Sequence, residues 1–117
     1  MITFAKQFFL FAGKPGRPDI EVTGSDHKSV SLKWTAPDNN GAPIFTYIVE
    51  YRLESSRSWV RANEKGDNVP ETSYTVNGLK ENKEYVFRVS AENIAGVGEP
   101  SKPTQPVKIK PLGMSLK

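Results

Sequence analysis

The 117-residue chain contains no cysteine and a single histidine, His27. Without cysteine there is no disulfide, no thiolate nucleophile and no cysteine-ligated metal. One histidine leaves no pair for a zinc site and a single candidate base for a Ser-His-Asp arrangement. These absences argue against an enzyme and against any bound metal or other cofactor, so we predict a non-catalytic binding or structural module. The length corresponds to about one domain.

Long apolar runs are also missing. Between Lys6 and Lys14 the start of the chain is apolar only over residues 8–12. This run is shorter than the ~7–15 residues of a signal-peptide core and the ~20 residues of a membrane-spanning helix. We interpret residues 1–13 as a leader, which is vector-derived sequence, the end of a preceding module or an extra strand. We expect no contact with a membrane.

The charges of the chain alternate in sign. Sixteen Lys and Arg and thirteen Asp and Glu give a net charge of +3, and a nucleic-acid surface would need the basic residues to cluster. From residue 50 to residue 88 the two signs are interleaved instead. This arrangement describes a solvated surface, and we expect no nucleic-acid partner.

Apolar residues recur at every second position along most of the chain, and turn-forming residues interrupt the pattern at short intervals. Residues 29–35, for example, alternate polar residues with Val30, Leu32 and Trp34, as expected of a strand with one buried face. The pattern predicts seven strands, at residues 19–23, 29–35, 44–53, 57–63, 72–76, 85–93 and 105–110. Seven short strands within ~100 residues are typical of an antiparallel β-sandwich, in which two sheets bury their apolar faces against each other.

Several residues in this pattern together resemble a fibronectin type III domain. Trp34 lies on the second strand, Tyr85 follows Leu79 by six positions, and residues 95–101 read Ala-Gly-Val-Gly-Glu-Pro-Ser. The third and sixth strands carry the rest of the resemblance, in Ile44, Tyr47, Val49, Tyr51, Phe87, Val89, Ala91 and Asn93. The lack of cysteine separates the chain from antibody-type domains.

The resemblance implies an immunoglobulin-like sandwich of type III topology over residues 14–111, followed by a tail at residues 112–117. It also implies a tyrosine corner, in which the phenol of Tyr85 bonds back to upstream backbone next to Leu79. The expected structural core is Trp34, Tyr47, Val49, Leu79, Tyr85, Phe87 and Val89.

Residues 34–44, 49–52 and 90–101 are similar to modules of giant muscle filament proteins of the titin and twitchin kind and of their myosin-binding relatives. The resemblance implies one link of a tandem array in a cytoplasmic sarcomeric or cytoskeletal protein, acting as a mechanical spacer and docking surface. Its implied partners are neighbouring immunoglobulin-like or type III modules and myosin or other filament proteins. The isolated module is expected to be a monomer.

Neural and cell-adhesion receptors contain similar modules, so the extracellular part of a membrane receptor is the alternative interpretation. No Asn-x-Ser/Thr glycosylation acceptor occurs in the sequence, which favours the cytoplasmic one.

One face of the third and sixth strands is the candidate partner surface. It combines aliphatic and charged side chains, as partner surfaces often do, and consists of Ile48, Glu50, Arg52, Val86 and Arg88. We interpret Trp59, on a short strand near a sheet edge, as a packing residue. The glycine-rich turn at residues 93–100 is a second candidate, because loops carry function on such scaffolds.

Overall fold

The computed structural model describes residues 11–64 and 67–113, so residues 1–10 of the predicted leader and 114–117 of the predicted tail lie outside the described part. The strands are β1 (Asp19–Ser25), β2 (Val30–Thr35), β3 (Thr46–Leu53), β4 (Val60–Arg61), β5 (Ser73–Val76), β6 (Glu84–Asn93), β7 (Gly96–Val97) and β8 (Val107–Lys108). None of the described residues is helical. The short β7 lies within the predicted turn and adds an eighth strand to the expected seven.

The strands form two antiparallel sheets. The first has the order β1-β2-β5, and in the second β4 pairs with β3, β3 with β6, and β6 with both β7 and β8. The longest ladder joins β3 to β6 and runs from Thr46 opposite Glu92 to Leu53 opposite Tyr85. The predicted antiparallel sandwich with immunoglobulin-like topology is therefore confirmed.

The core lies between the two sheets and is built from the alternating apolar positions of β2, β3 and β6. Each of the seven residues expected in the core is at most 6% exposed. They pack in one cluster with further buried side chains that include Val30, Leu32, Val76 and Ile109. A single apolar cluster of this kind lets a chain of this size fold without crosslinks.

The chain crosses from one sheet to the other just before β6. There the backbone N–H of Lys80 donates a hydrogen bond to the phenol oxygen of Tyr85 at 3.1 Å. Leu79, immediately upstream, is buried, and its own N–H donates to the carbonyl of Lys28 at 2.9 Å. The phenol thus fixes the connection against the strand that follows it, as in a tyrosine corner.

The strand predicted at residues 57–63 is mostly irregular, and only Val60–Arg61 is paired as β4. Beyond β4 the side chain of Asn63 makes hydrogen bonds to β3 that the backbone of a paired strand would otherwise make. Asn63 Oδ1 accepts the N–H of Val49 at 2.9 Å, and Asn63 Nδ2 donates to the carbonyl of Tyr47 at 3.1 Å. The edge of β3 is therefore satisfied although no strand runs beside it at these residues.

The last predicted strand, residues 105–110, is likewise shorter than expected and is reduced to β8. Pro106 precedes it and has no N–H to contribute to a ladder.

Candidate partner-binding surface

The pairing of β3 with β6 places the five predicted surface residues on one sheet face. Glu50 lies opposite Arg88, and Arg52 lies opposite Val86. Arg88 Nε donates to Glu50 Oε1 at 2.8 Å, and the two side chains are 26% and 22% exposed. The most polar part of the predicted face is therefore an internally paired, half-buried ion pair.

The indole ring of Trp59 lies between two guanidinium groups of this face. The Cζ of Arg88 is 4.2 Å from the ring centroid, and the Cζ of Arg52 is 4.9 Å from it. Arg52 Nη1 also donates to three carbonyls of the turn after β3, those of Leu53, Glu54 and Ser56. The indole and the turn therefore hold Arg52, and the indole and Glu50 hold Arg88. Each cation–π contact contributes ~0.5–1 kcal/mol at an exposed site.

Val86 does not lie on the accessible surface as predicted, because it is only 4% exposed. Its neighbours on the same face are Arg88, two positions along β6, and Arg52, directly opposite. Trp59 stacks on both of these side chains, so Val86 lies beside two arginine side chains that the indole holds in place.

Trp59, interpreted from the sequence as a packing residue alone, also belongs to this surface. The sequence contains the residue types that such a stack needs, two arginines at outward-facing strand positions and a nearby tryptophan, but it does not show that they meet. We call Ile48, Glu50, Arg52, Trp59 and Arg88 the Trp59 surface. Its members are all partly exposed.

The second candidate, the turn at residues 93–100, contains one buried and two exposed side chains of interest. Ile94 and Val97 are 59% and 40% exposed. Asn93 is buried, and its Nδ2 donates to the carbonyls of Gly13 and Asn39, at 2.8 Å each. The turn is thus tied to the start of the module and to the β2–β3 loop, and it presents apolar side chains at that end.

Gly98 belongs to the same turn and has a specific packing role. A Cβ atom built there would overlap the carbonyl of Pro15, and the N–H of Gly98 donates to the carbonyl of Ala91 at 2.9 Å. Glycine is required because the chain entering the module passes directly over this position.

A cleft at the opposite end of the sandwich contains the single histidine. It is lined by residues of the β1–β2 turn, among them Asp26 and His27, and by residues near the end of the chain, among them Lys108 and Lys110. Asp26 Oδ1 accepts the backbone N–H groups of Lys28 and Ser29 and the Ser29 hydroxyl. These hydrogen bonds hold the pKa of Asp26 below its ordinary value, and the bond from the Lys28 N–H has the largest effect. The carboxylate thus serves the turn.

The described residues contain no group of three or more His, Cys, Asp or Glu side chains placed to hold a metal ion. No helix long and apolar enough to cross a bilayer occurs in that part of the chain either.

Two sheets, a shared apolar core and a tyrosine corner define an immunoglobulin-like β-sandwich module. The family model described as "Fibronectin type III domain" matches residues 13–107, and the chain belongs to that family. The resemblance read from the sequence is therefore confirmed.

The chain is similar to modules of several long proteins. It is 42% identical over 99 residues to the juxtamembrane domain-associated catenin of Caenorhabditis elegans, and the matched region covers 83% of the chain and 8% of that protein. It is 38% identical over 108 residues to mouse fast-type myosin-binding protein C, with 85% and 9% covered. With mouse Roundabout homolog 1 the identity is 37% over 100 residues, with 85% and 6% covered.

Among solved structures, titin module A71 from human cardiac muscle matches with a TM-score of 0.71 and 36% identity, covering 85% of the chain and 93% of that module. The chain spans less than a tenth of the length of each of the three curated relatives described above. Modules similar to this one therefore occur both in proteins named as muscle proteins and in proteins that are not.

Proposed function

We propose that the chain is a non-catalytic structural and protein-interaction module, one link of a tandem array in a large sarcomeric or cytoskeletal protein, where it acts as a mechanical spacer and a docking surface. The muscle names among its relatives, such as striated-muscle M-protein and myosin-binding protein C, support the cytoplasmic setting. Neighbouring immunoglobulin-like or type III modules and filament proteins such as myosin are the proposed partners.

The observation that supports the spacer role is that the two ends of the module are held at opposite ends of β6. The carbonyl of Gly13 is bound by Asn93 at the last residue of β6. The N–H of Ile109 donates at 2.9 Å to the carbonyl of Lys83, just before the first residue of β6. β6 contains ten residues, so at ~3.3 Å per residue the two anchor points lie about 30 Å apart. Modules joined through such ends follow one another in series.

The same arrangement gives resistance to stretching. β1 pairs with β2 from Asp19 opposite Thr35 to Ser25 opposite Val30, and antiparallel ladder bonds run across the strands. A pull on the chain before β1 acts along that strand, so it must break several bonds together rather than one after another. We propose that these bonds, with those that hold the end of the chain to β6, carry most of the load.

Single-molecule stretching of a concatemer of the chain tests the spacer role. We expect discrete unfolding events that each release about 300 Å. Residues 13–109 extend to about 320–350 Å at ~3.3–3.6 Å per residue, and the folded ends are already about 30 Å apart. The double variant Ser101→Ala, Thr104→Val removes two hydroxyls that bind β6 and should lower the unfolding force. Ser55→Ala, in an exposed turn, is the matched control. Extension without discrete events would contradict the spacer role.

The Trp59 surface is the proposed docking surface. It carries two arginines and one glutamate. The indole of Trp59 holds both guanidinium groups, and Glu50 also binds that of Arg88. A surface with fixed side chains loses little conformational entropy on binding, and its net positive charge suits an acidic partner surface.

Cosedimentation with purified myosin filaments tests this docking surface. The double variant Arg52→Glu, Trp59→Ala should leave a smaller bound fraction than the parent chain. Arg57→Glu, a charge reversal at an exposed position outside the Trp59 surface, should bind like the parent. Equal binding by all three proteins, or absence of binding by the parent, would refute myosin docking at this surface.

The alternative is an extracellular module of a neural or cell-adhesion receptor, which the relatives Roundabout homolog 1 and Contactin-2 support. Sequencing the full transcript that encodes this chain separates the two. If the chain belongs to a tandem array in a muscle protein, we expect the transcript to encode adjoining immunoglobulin-like and type III modules and no signal peptide. If the chain belongs to a receptor, we expect the transcript to encode a signal peptide and a membrane-spanning segment.

A further inference from the structure

The segment after β7 repeats proline at every third position. Residues 99–108 read Glu-Pro-Ser-Lys-Pro-Thr-Gln-Pro-Val-Lys, with prolines at 100, 103 and 106. Proline fixes φ near −65°, and the residue before a proline is restricted to extended or polyproline II geometry. The three prolines therefore have a φ that suits polyproline II geometry, the three residues before them are restricted to extended or polyproline II geometry, and the described residues contain no cis peptide bond. Because a polyproline II helix has three residues per turn, we expect three rows of side chains.

One of the three rows faces the sheet. The N–H of Ser101 donates to the carbonyl of Val89 at 2.8 Å, and Ser101 Oγ accepts the N–H of Val89 at 3.0 Å. Three residues later, Thr104 repeats both bonds with Phe87, at 2.9 and 3.1 Å. Val107, another three residues on, lies in β8 and pairs with β6. A period of three thus attaches the segment to β6, with hydroxyls replacing half of a normal ladder.

The other two rows face solvent. One contains Pro103 and Pro106, and the other contains Lys102, Gln105 and Lys108; all five residues are exposed. In the part of the chain that the structure describes, the ion pairs are Lys33–Glu21 and Arg88–Glu50, so the ammonium group of Lys108 has no carboxylate partner there.

We propose that residues 102–108 form a docking site for an SH3-type domain. Such domains bind polyproline II segments of the form Pro-x-x-Pro in a groove lined by aromatic residues. Here Pro103 and Pro106 provide that spacing, and Lys108, two residues further on, provides a cation for an acidic pocket beside the groove. A groove contacts two rows of a three-sided helix, and these are the two rows that the sandwich leaves exposed.

The attachment to β6 favours this partner over an added β-strand. Pro103 and Pro106 have no N–H to donate, so a further strand could not form a regular ladder on this edge. The sheet also holds the segment in the extended shape that the groove requires, which lowers the entropy lost on binding.

The test is an NMR titration of the ¹⁵N-labelled 117-residue chain with a purified SH3 domain selected for Pro-x-x-Pro-x-Lys peptides. We expect shift changes at the backbone amides of the non-proline residues from 102 to 110 and an otherwise unchanged spectrum. Lys108→Glu should weaken binding on the order of tenfold or more, since it places like charges together. Lys110→Glu, a reversal at an exposed lysine just beyond the motif, should bind like the parent.

A second variant, Pro103→Ala with Pro106→Ala, should also lose binding while the β6 amides keep their parent shifts. Absence of binding by the parent chain would overturn the proposal. So would equal binding by Lys108→Glu, or shift changes confined to another part of the module. Binding to an isolated peptide of residues 99–110 but not to the folded chain would overturn it as well, because the sheet would then hold the segment in the wrong shape.

Discussion

The rings of Trp34 and Tyr47 meet edge to face across the core, with their centroids 5.3 Å apart and their planes at 60°. Trp34 comes from β2 in one sheet and Tyr47 from β3 in the other, so this contact joins the two layers. Edge-to-face pairs contribute ~0.5–1.5 kcal/mol beyond the area that they bury.

Replacing Trp34 by alanine should therefore destabilise the module by ~3–5 kcal/mol, because it leaves a cavity between the sheets. Trp34→Phe should cost less, since it keeps an aromatic ring and removes an indole N–H that has no hydrogen-bond partner among the described residues. Urea unfolding followed by circular dichroism measures both. If Trp34→Ala unfolded at the same urea concentration as the parent, Trp34 would not be a core residue.

Asn93→Ala should destabilise the module by about 2 kcal/mol. The change removes the bonds to the carbonyls of Gly13 and Asn39, and a buried polar group left unpaired costs ~1–3 kcal/mol. Asn77→Ala, at an exposed position, is the matched control. Hydrogen exchange should also rise at the Gly13 amide; unchanged exchange there would mean that Asn93 does not hold the start of the module.

Tyr85→Phe should cost ~0.5–1.5 kcal/mol, the net contribution of one hydrogen bond, because the N–H of Lys80 loses its acceptor. The control is Tyr74→Phe, whose hydroxyl makes a long bond of 3.5 Å to the carbonyl of Ala62. We expect little change in the thermal midpoint for the control. Equal losses for the two variants would argue against a tyrosine corner.

The stacking of Trp59 on Arg88 can be measured by a double-mutant cycle. Trp59→Ala, Arg88→Ala and the double variant should give a coupling energy of ~0.5–1 kcal/mol, as expected for a cation–π contact at a partly exposed site. A cycle between Trp59 and the exposed Arg57 should give a value near zero. A coupling near zero for Arg88 as well would show that the stack is absent in solution.

The stability of the module should depend on the ionisation of Asp26. Its folded-state pKa is lowered, mainly by the N–H of Lys28 and the side chain of Ser29. Its contribution is therefore present above the unfolded-state pKa of ~3.9 and is lost as the pH falls through the lower folded-state pKa. Asp26→Asn should narrow the difference in urea midpoint between neutral pH and about pH 2. An NMR titration midpoint of Asp26 at or above its ordinary value would contradict this.

The sandwich could be predicted from the sequence because a strand that is half buried leaves a local signature. In β2, Val30, Leu32 and Trp34 alternate with polar residues, and all three are buried in the structure. The alternation depends on the strand alone, so no knowledge of distant residues is needed.

The details that could not be predicted arise between distant parts of the chain. Val86 is buried beside Arg52 and Arg88, and Trp59, from the connection between β3 and β4, stacks on both of these arginines. Asn63, Ser101 and Thr104 pair with strands through their side chains. Bonds of that kind have no period of two, so the sequence pattern overestimates the lengths of β4 and β8.

In the proposed tandem array, the amide of Asn63 would also limit strand pairing between neighbouring modules. Linked domains experience very high effective concentrations of their neighbours, and an open strand edge can recruit another chain. Asn63 occupies the N–H of Val49 and the carbonyl of Tyr47, but a side-chain amide has no second edge from which a ladder can continue. The N–H of Tyr47 and the carbonyl of Val49 bind the backbone of Val69 and Ala62, so at these two residues β3 offers no free ladder group to a strand of a neighbouring module.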